Sequence, residues 1–170
     1  PTAQGVFWGT RTLLQMLHRQ EAKLAKGTTR DWPEFPNRGF MLDVSRTWID
    51  VDGVKHYIEN LAHHKINKLH LHLSDDEGWR IEIKSHPELT EVGGFRGPGS
   101  PVAARYGKWG ERYGGFYTQE QMKDIIEFAA VRNIEIIPEI DLPGHSHNLA
   151  RVRPEVLCNF TPDMESSFGY

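Results

Sequence analysis

The order of elements readable along the chain predicts an α/β fold, a partial (β/α)8 TIM barrel holding its first three β/α units. Three observations predict it. Short apolar runs alternate with amphipathic helical stripes in the order β-α-β-α-β, which implies a parallel sheet with right-handed crossovers. The first run is followed by Ser45-Arg46-Thr47-Trp48, where a dinucleotide-binding sheet would carry G-x-G-x-x-G. Each apolar run also ends in polar residues. A full barrel has eight strands in typically ~250 residues, and this chain of 170 supplies three convincing ones.

Residues 5–20 read as a helix. Leu13, Leu14 and Leu17 stand at helical spacing after Phe7 and Trp8, and Gly27 supplies a stop. Residues 28–38 carry Pro33 and Pro36 among aromatics, the pattern of an extended linker. Phe40 to Ser45 is the first strand. Asp52 is placed to cap the next helix, whose apolar stripe is Val54, Tyr57, Ile58 and Leu61, with Asn67 as its end. Lys68 to Ser74 is the second strand. Thr118 with Gln121 three residues on is a capping box, opening a helix with the stripe Met122, Ile125, Ile126 and Ala129 and a stop at Asn133. Ile134 to Ile140 is the third strand. Residues 77–117 break the rhythm with nine glycines. A loop of that length is usually functional or disordered, and its place after the second strand puts it over the C-terminal face of the sheet.

Composition narrows the function classes. The chain is 38% hydrophobic and 25% charged, enough for one core and unlike collagen, coiled coil or disordered sequence. A formal charge of -3 gives no electrostatic footprint for nucleic acid. Cys158 is the single cysteine, so no internal disulfide forms. The apolar runs are too short to span a membrane. The chain opens Pro1-Thr2 without a signal-peptide pattern, which reads as a processed or cut-out piece and says little about compartment.

The polar strand ends carry the functional signal. The first strand ends at Ser45-Arg46, the second at Asp75-Asp76-Glu77, and the third at Glu139, Asp141 and then Pro143-Gly144-His145. In parallel α/β folds these ends converge on one face, and that face holds the active site. Arg46, several carboxylates and His145 are therefore expected to meet. Each has a plainer reading as a helix cap or a local ion pair, Arg46 with Asp43 or Asp50 for instance. His70 and His72 form an H-x-H on the second strand, a metal-ligand spacing. They fall mid-strand without a carboxylate at ligand spacing, so strand-packing or supporting roles are expected and no metal is. Asp141, His145 and His147 form a weaker ligand pattern. His56, His63 and His64 fall on a helix and read as solvated. Asn159-Phe160-Thr161 fits a glycosylation sequon of low specificity.

These stretches resemble glycoside hydrolase family 20, the β-N-acetylhexosaminidases. The matching residues are Arg38 to Arg46 (RGFMLDVSR), Leu69 to Arg80 (LHLHLSDDEGWR), Tyr117 to Gln121 (YTQEQ) and Pro138 to His145 (PEIDLPGH). The resemblance implies that residues 1–27 are the C-terminal helix of a small α+β domain, 28–38 a linker and 39–170 the N-terminal portion of the catalytic barrel. Arg46 then matches the arginine that binds the hydroxyls of a terminal N-acetyl sugar. Asp75 and His145 match a pair that supports the catalytic acid, and Asp141 orders the floor of the site. Thr47 departs from the family's frequent histidine. The implied reaction is retaining hydrolysis assisted by the substrate's own 2-acetamido group, an exception to the two-carboxylate pattern. It needs no cofactor, and its substrates are N-acetylhexosamine-terminated glycans or chitooligosaccharides. A secreted, periplasmic or lysosomal setting goes with the family.

The family's catalytic Asp-Glu pair follows the fourth strand, and no Asp-Glu dipeptide occurs after His145. The isolated chain is therefore expected to be inactive. It is also expected to self-associate through an open barrel edge, with Leu69, Leu71, Ile134, Ile136 and Ile140 lacking a complete partner layer. Two other readings stay open: a metal-dependent barrel hydrolase using His70 and His72, which bound zinc would reveal, and a non-catalytic carbohydrate-binding or assembly fragment.

Overall fold

A computed structural model describes residues 2–19, 22–106 and 109–156. Gly107, Cys158, the 159–161 sequon and everything from residue 157 of the expected barrel portion lie outside these. The chain divides into two compact units. One holds the residues up to Leu42 with Val51–Leu71 and Lys123–Ile137. The other holds Asp43–Asp50, His72–Met122 and the residues from Pro138 onward.

Three strands, β1 (Gly39–Asp43), β2 (Lys68–His72) and β7 (Glu135–Glu139), form a sheet in the order β1-β2-β7. At their N-terminal ends, the Asn67 N–H donates to Arg38 O at 2.9 Å and the Glu135 N–H to Asn67 O at 3.0 Å. At their C-terminal ends, the Val44 N–H donates to His72 O at 3.3 Å and the Leu73 N–H to Glu139 O at 3.0 Å. Partner numbers rise together along each pair, so the strands run parallel, as the β-α-β-α-β order requires.

The first unit adds α1 (Ala3–Arg19), α2 (Val51–His63) and most of α4 (Gln119–Ala130). Its core is Leu42, Val54, Ile58, Leu61, Ala62, Leu69, Leu71, Ile125, Ala129 and Ile134. Alternation along β2 sends Leu69 and Leu71 to one face and His70 to the other. Leu69, Leu71 and Ile134 are thus fully covered, against the expectation of an open layer, and only Ile140 of that set is strongly exposed. Several residues of the expected helical stripes also lie outside the core: α1 buries none of its residues, with Leu13 and Leu14 exposed, and one residue each of α2 and α4 joins them. Tyr57 is exposed and stacks on Phe40 with ring centroids 6.3 Å apart, and Ile126 is exposed.

The stop signals divide. Asn133 adopts a left-handed φ of 57° and ends α4, because a short polar side chain tolerates that region. Gly27 plays no such part: α1 closes at Arg19, with the Ala22 N–H reaching back to Leu17 O at 2.9 Å. Nor does Asn67 end a helix. α2 stops at His63, and the Asn67 side chain ties the linker down, accepting the Arg38 N–H at 2.8 Å and donating to Pro36 O at 2.8 Å. The capping box forms as expected. Gln121 N–H donates to Thr118 Oγ1 at 3.1 Å, and Thr118 N–H to Gln121 Oε1 at 2.9 Å.

In the second unit the described residues of the long glycine-rich stretch form a scaffold. It contains two small hairpins, β3 (Ser74–Asp75) with β4 (Gly78–Trp79) and β5 (Phe95–Arg96) with β6 (Tyr113–Gly114), and a short helix α3 (Glu88–Glu91). Arg80 organises it from inside. Fully buried, it donates from Nε to Val44 O (3.1 Å), from Nη2 to Ser45 O (2.7 Å) and from Nη1 to Gly94 O (2.5 Å) and Gly115 O (3.1 Å). Gly78 passes so close that a Cβ there would lie 2.2 Å from the Arg80 guanidine carbon. Gly114 has a φ of 144°, and its Cβ would meet Gly94 O at 2.2 Å, so both positions require glycine. Trp48 packs on Tyr117 at 4.6 Å, and the buried Tyr117 hydroxyl donates to Ile49 O. α5 (His147–Val152) and a 3-10 turn (Pro154–Val156) complete the unit.

Candidate active site

Asp43, Arg46, His72, Asp75, Glu77, Glu139, Asp141 and His145 all belong to the second unit. They come from the C-terminal ends of β1, β2 and β7 and from the turns that follow, the convergence expected of polar strand ends. Asp43 closes the turn after β1: its Oδ1 accepts the N–H groups of Ser45 (3.0 Å) and Arg46 (2.9 Å). Its Oδ2 accepts Arg46 Nη1 at 2.8 Å. The local pair weighed from sequence is therefore real, and it is one bond of several.

Asp75 is the hub. Its side chain is almost wholly buried. Oδ2 lies 2.5 Å from Arg46 Nη2, 2.6 Å from His72 Nε2 and 3.3 Å from His145 Nδ1. Oδ1 accepts the Asp76 N–H at 2.6 Å. The expected Asp75–His145 proximity is present, but His72 stands closer. His145 Nδ1 is also 3.3 Å from Arg46 Nη2, so that nitrogen either accepts from Arg46 or donates to Asp75.

His72 is the residue that sequence reasoning undervalued. The premise that it lacked a nearby carboxylate is corrected: Nε2 faces Asp75 at 2.6 Å and Nδ1 faces Glu139 at 2.5 Å. Facing Glu139, Nδ1 carries a proton; Nε2 also lies 3.0 Å from Arg46 Nη1, so it either donates to Asp75 or accepts from Arg46. Burial alone would lower its pKa, but the bonds to Asp75 and Glu139 outweigh that and hold it above the ordinary value of 6.5. The sequence did contain the signal. Its place three residues before Asp75, with Glu139 at the matching level of the neighbouring strand, gives a buried histidine between two acids.

Glu77 completes the ring around Arg46, with Oε2 3.5 Å from Arg46 Nε and Oε1 3.6 Å from Arg105 Nη1. Burial pushes its carboxyl above the usual range, Asp75 adds to this, and Arg105 opposes it. The Arg96 guanidinium, also buried, donates to Arg46 O at 2.7 Å and lies over the Tyr113 ring at 4.8 Å. Together Arg80 and Arg96 hold the carbonyls of residues 44, 45 and 46. Arg80 stood out in the sequence only as the last residue of the Leu69–Arg80 motif, with no role attached, and Arg96 sits in a stretch read as loop.

Asp141 donates its N–H to Ser74 Oγ at 3.1 Å. Its carboxylate joins His72 and Glu139 in a group whose ligand atoms lie within 4.8 Å of one another, and Asp75, Asp76 and His145 form a second such group. Among the described residues, His70 belongs to neither group. A cation at the first would have to displace a carboxylate from His72. At the second it would compete with the Arg46 guanidinium for Asp75. The arrangement suits the binding of a neutral polar ligand better. It presents a guanidinium fixed from several sides, partly open to solvent, beside a half-exposed imidazole.

Residues 35–169 match the model of the glycosyl hydrolase family 20 catalytic domain. The chain belongs to that family. A β-hexosaminidase of Vibrio furnissii is 43% identical over 166 residues, covering 96% of this chain and 27% of that protein. One of Porphyromonas gingivalis is 42% identical over 166 residues, covering 92% of this chain and 20% of that protein. Among solved structures, a family 20 exo-β-N-acetylglucosaminidase of Vibrio harveyi in complex with N-acetylglucosamine superimposes with a TM-score of 0.83 at 44% identity. That match covers 91% of this chain and 25% of the other. The chain thus spans about a quarter of the length of these family 20 relatives. No helix among its described residues is long and apolar enough to cross a membrane.

Proposed function

We propose that this chain is part of a β-N-acetylhexosaminidase that removes terminal, non-reducing N-acetylglucosamine or N-acetylgalactosamine from glycans or chitooligosaccharides. The observation that carries the reading is the fixed Arg46 fork, bonded to Asp43 at 2.8 Å and to Asp75 at 2.5 Å with part of its surface open. A planar guanidinium held in this way presents paired donors to two vicinal ring hydroxyls without first losing side-chain freedom. The names of the relatives support the same sugar class.

In the proposed reaction the substrate's 2-acetamido oxygen attacks the anomeric carbon. An Asp orients the acetamido group, and a neighbouring Glu protonates the leaving oxygen as its bond to the anomeric carbon breaks; water, giving its proton to the same Glu, then adds to that carbon and releases the acetamido oxygen. Arg46 binds hydroxyls of the terminal sugar. Asp75 and His145 support the acid, with His72 holding Asp75 in place, and Asp141 orders the floor. Residues 39–170 form the first three β/α units of a (β/α)8 barrel, 28–38 the linker, and 1–27 the closing helix of an α+β domain. The parallel order β1-β2-β7, with α2 and α4 between successive strands, supports this division. Because no Asp-Glu pair follows His145 in these residues, the 170-residue chain alone is inactive. With Leu69, Leu71 and Ile134 covered, its association with other copies rests on the outer strands β1 and β7.

The test is hydrolysis of a chromogenic N-acetylglucosaminide by this chain and by one extended to the length of its relatives. The short chain should give no turnover. The long chain should turn over, and Asp75→Ala should reduce its kcat by about 100-fold or more. Turnover by the short chain that disappears in Asp75→Ala would show that the catalytic groups are misplaced.

A further inference from the structure

We propose a second sugar-binding site in the first unit, between α1 and the 28–38 stretch. A cavity of about 510 Å³ opens there, lined by Trp8, Thr12, Asp31, Trp32, Arg38 and Lys65 among others. That volume falls in the range of about 300–1,000 Å³ common to small-molecule sites. None of its lining residues takes part in the Arg46 cluster, and the catalytic reading requires none of them.

Three features select the ligand. First, two of the chain's five tryptophans line the cavity, and Trp32 is 75% exposed. A bare indole face is a platform for a flat, weakly polar C–H surface. Second, the polar wall is internally balanced. Asp31 Oδ2 accepts from Thr12 Oγ1 at 3.0 Å and from Lys65 Nζ, and Lys65 also reaches Thr12 Oγ1 at 2.5 Å. The bonds from Lys65 and Thr12 hold the Asp31 carboxyl below the usual range, and the Asp31–Lys65 ion pair offsets its own charge. Third, Arg38 spends its Nε on Lys65 O (2.7 Å) and its Nη1 on Phe35 O (2.8 Å) and Pro36 O (3.4 Å). An anion would have to approach the Asp31 carboxylate that already pairs with Lys65, and a wholly apolar ligand would have to bury that pair. A pyranose ring satisfies both demands. Its C–H face lies on the exposed Trp32 indole, beside Trp8, whose ring already carries the Arg38 guanidinium at 5.8 Å, while its hydroxyls donate to Asp31 and accept from Lys65.

The experiment follows the indole N–H signals of the ¹⁵N-labelled 170-residue chain during titration with triacetylchitotriose. The Trp8 and Trp32 signals should shift saturably in the wild type and equally in Arg46→Ala. Trp32→Ala should weaken binding by about tenfold, equivalent to ~1.4 kcal/mol, with an unchanged far-UV CD spectrum because the side chain is exposed. Asp31→Asn should weaken it in the same direction. Static Trp8 and Trp32 signals, or full affinity in Trp32→Ala, overturn the proposal. Shifts that vanish in Arg46→Ala also overturn it while leaving the catalytic reading intact. Trp32-dependent binding beside an inactive extended enzyme would do the reverse.

Discussion

Replacing Arg80 with alanine tests whether an interior guanidinium holds the strand end that carries Arg46. Two of its acceptors, Val44 O and Ser45 O, belong to buried residues and accept no other hydrogen bond among those described. Gly94 O keeps a second donor in the Gly115 N–H at 2.9 Å. Two orphaned buried carbonyls cost about 2–6 kcal/mol. Deleting the packed stem of the side chain removes about 2–3 kcal/mol more. Against this, burial and then the nearby Arg96 charge hold the Arg80 pKa down to about 10 from 12.5, so the substitution relieves a buried charge that costs roughly 3 kcal/mol. The net expectation is a loss near 3 kcal/mol, a fall in Tm of about 6–12 °C for a chain of this size. Urea titration followed by far-UV CD measures it. The same geometry predicts coupling. Gly78→Ala places a Cβ 2.2 Å from the Arg80 guanidine carbon, so it should destabilise the wild type strongly and the Arg80→Ala chain little. A loss under about 1 kcal/mol in Arg80→Ala, or additive effects in the pair, would refute the assignment of Arg80 as the organising group.

Other outcomes follow from the same structure. Thr118→Ala removes one half of the capping box and should lower stability by about 1 kcal/mol in chemical denaturation. His72 is held above 6.5 in the folded state, so the folded chain binds more protons in that range. Its stabilisation is complete below 6.5 and is lost as pH rises through the raised value; His72→Gln should flatten that fall in a Tm-versus-pH series. Glu77 is held above 4.5, so its contribution likewise falls as pH rises, but from 4.5 upward. Glu77→Gln should remove this lower slope alone and leave the His72 slope in place.

The parallel sheet and both β-α units were legible because their signals are local: apolar runs, helical spacing and the Thr118–Gln121 box. Arg46, Asp75 and His145 were legible for a different reason, since strand ends in such a sheet must converge. What escaped is long-range. Arg80 acts on carbonyls 14 to 36 residues away, and no periodicity encodes a bond between a side chain and distant backbone. Gly27 misled because a left-handed residue can close a helix without being glycine, as Ala22 does with a φ of 63°. Tyr57 misled because one stripe position faced a neighbouring ring on the surface and not the core.

The glycines around Arg80 change how tolerance to substitution should be distributed along the chain. Surface connections ordinarily accept insertions and side-chain changes more freely than strands do. Here the backbone at 78 and 114 has been drawn in against buried groups, with Gly114 so placed that a Cβ would meet both Gly94 O at 2.2 Å and Arg80 Nη1 at 2.9 Å. Meanwhile β1 leaves Phe40 and Met41 exposed. In a saturation library of this chain, depletion should therefore be deeper at positions 78 and 114, which contribute no side chain at all, than at those two apolar strand residues.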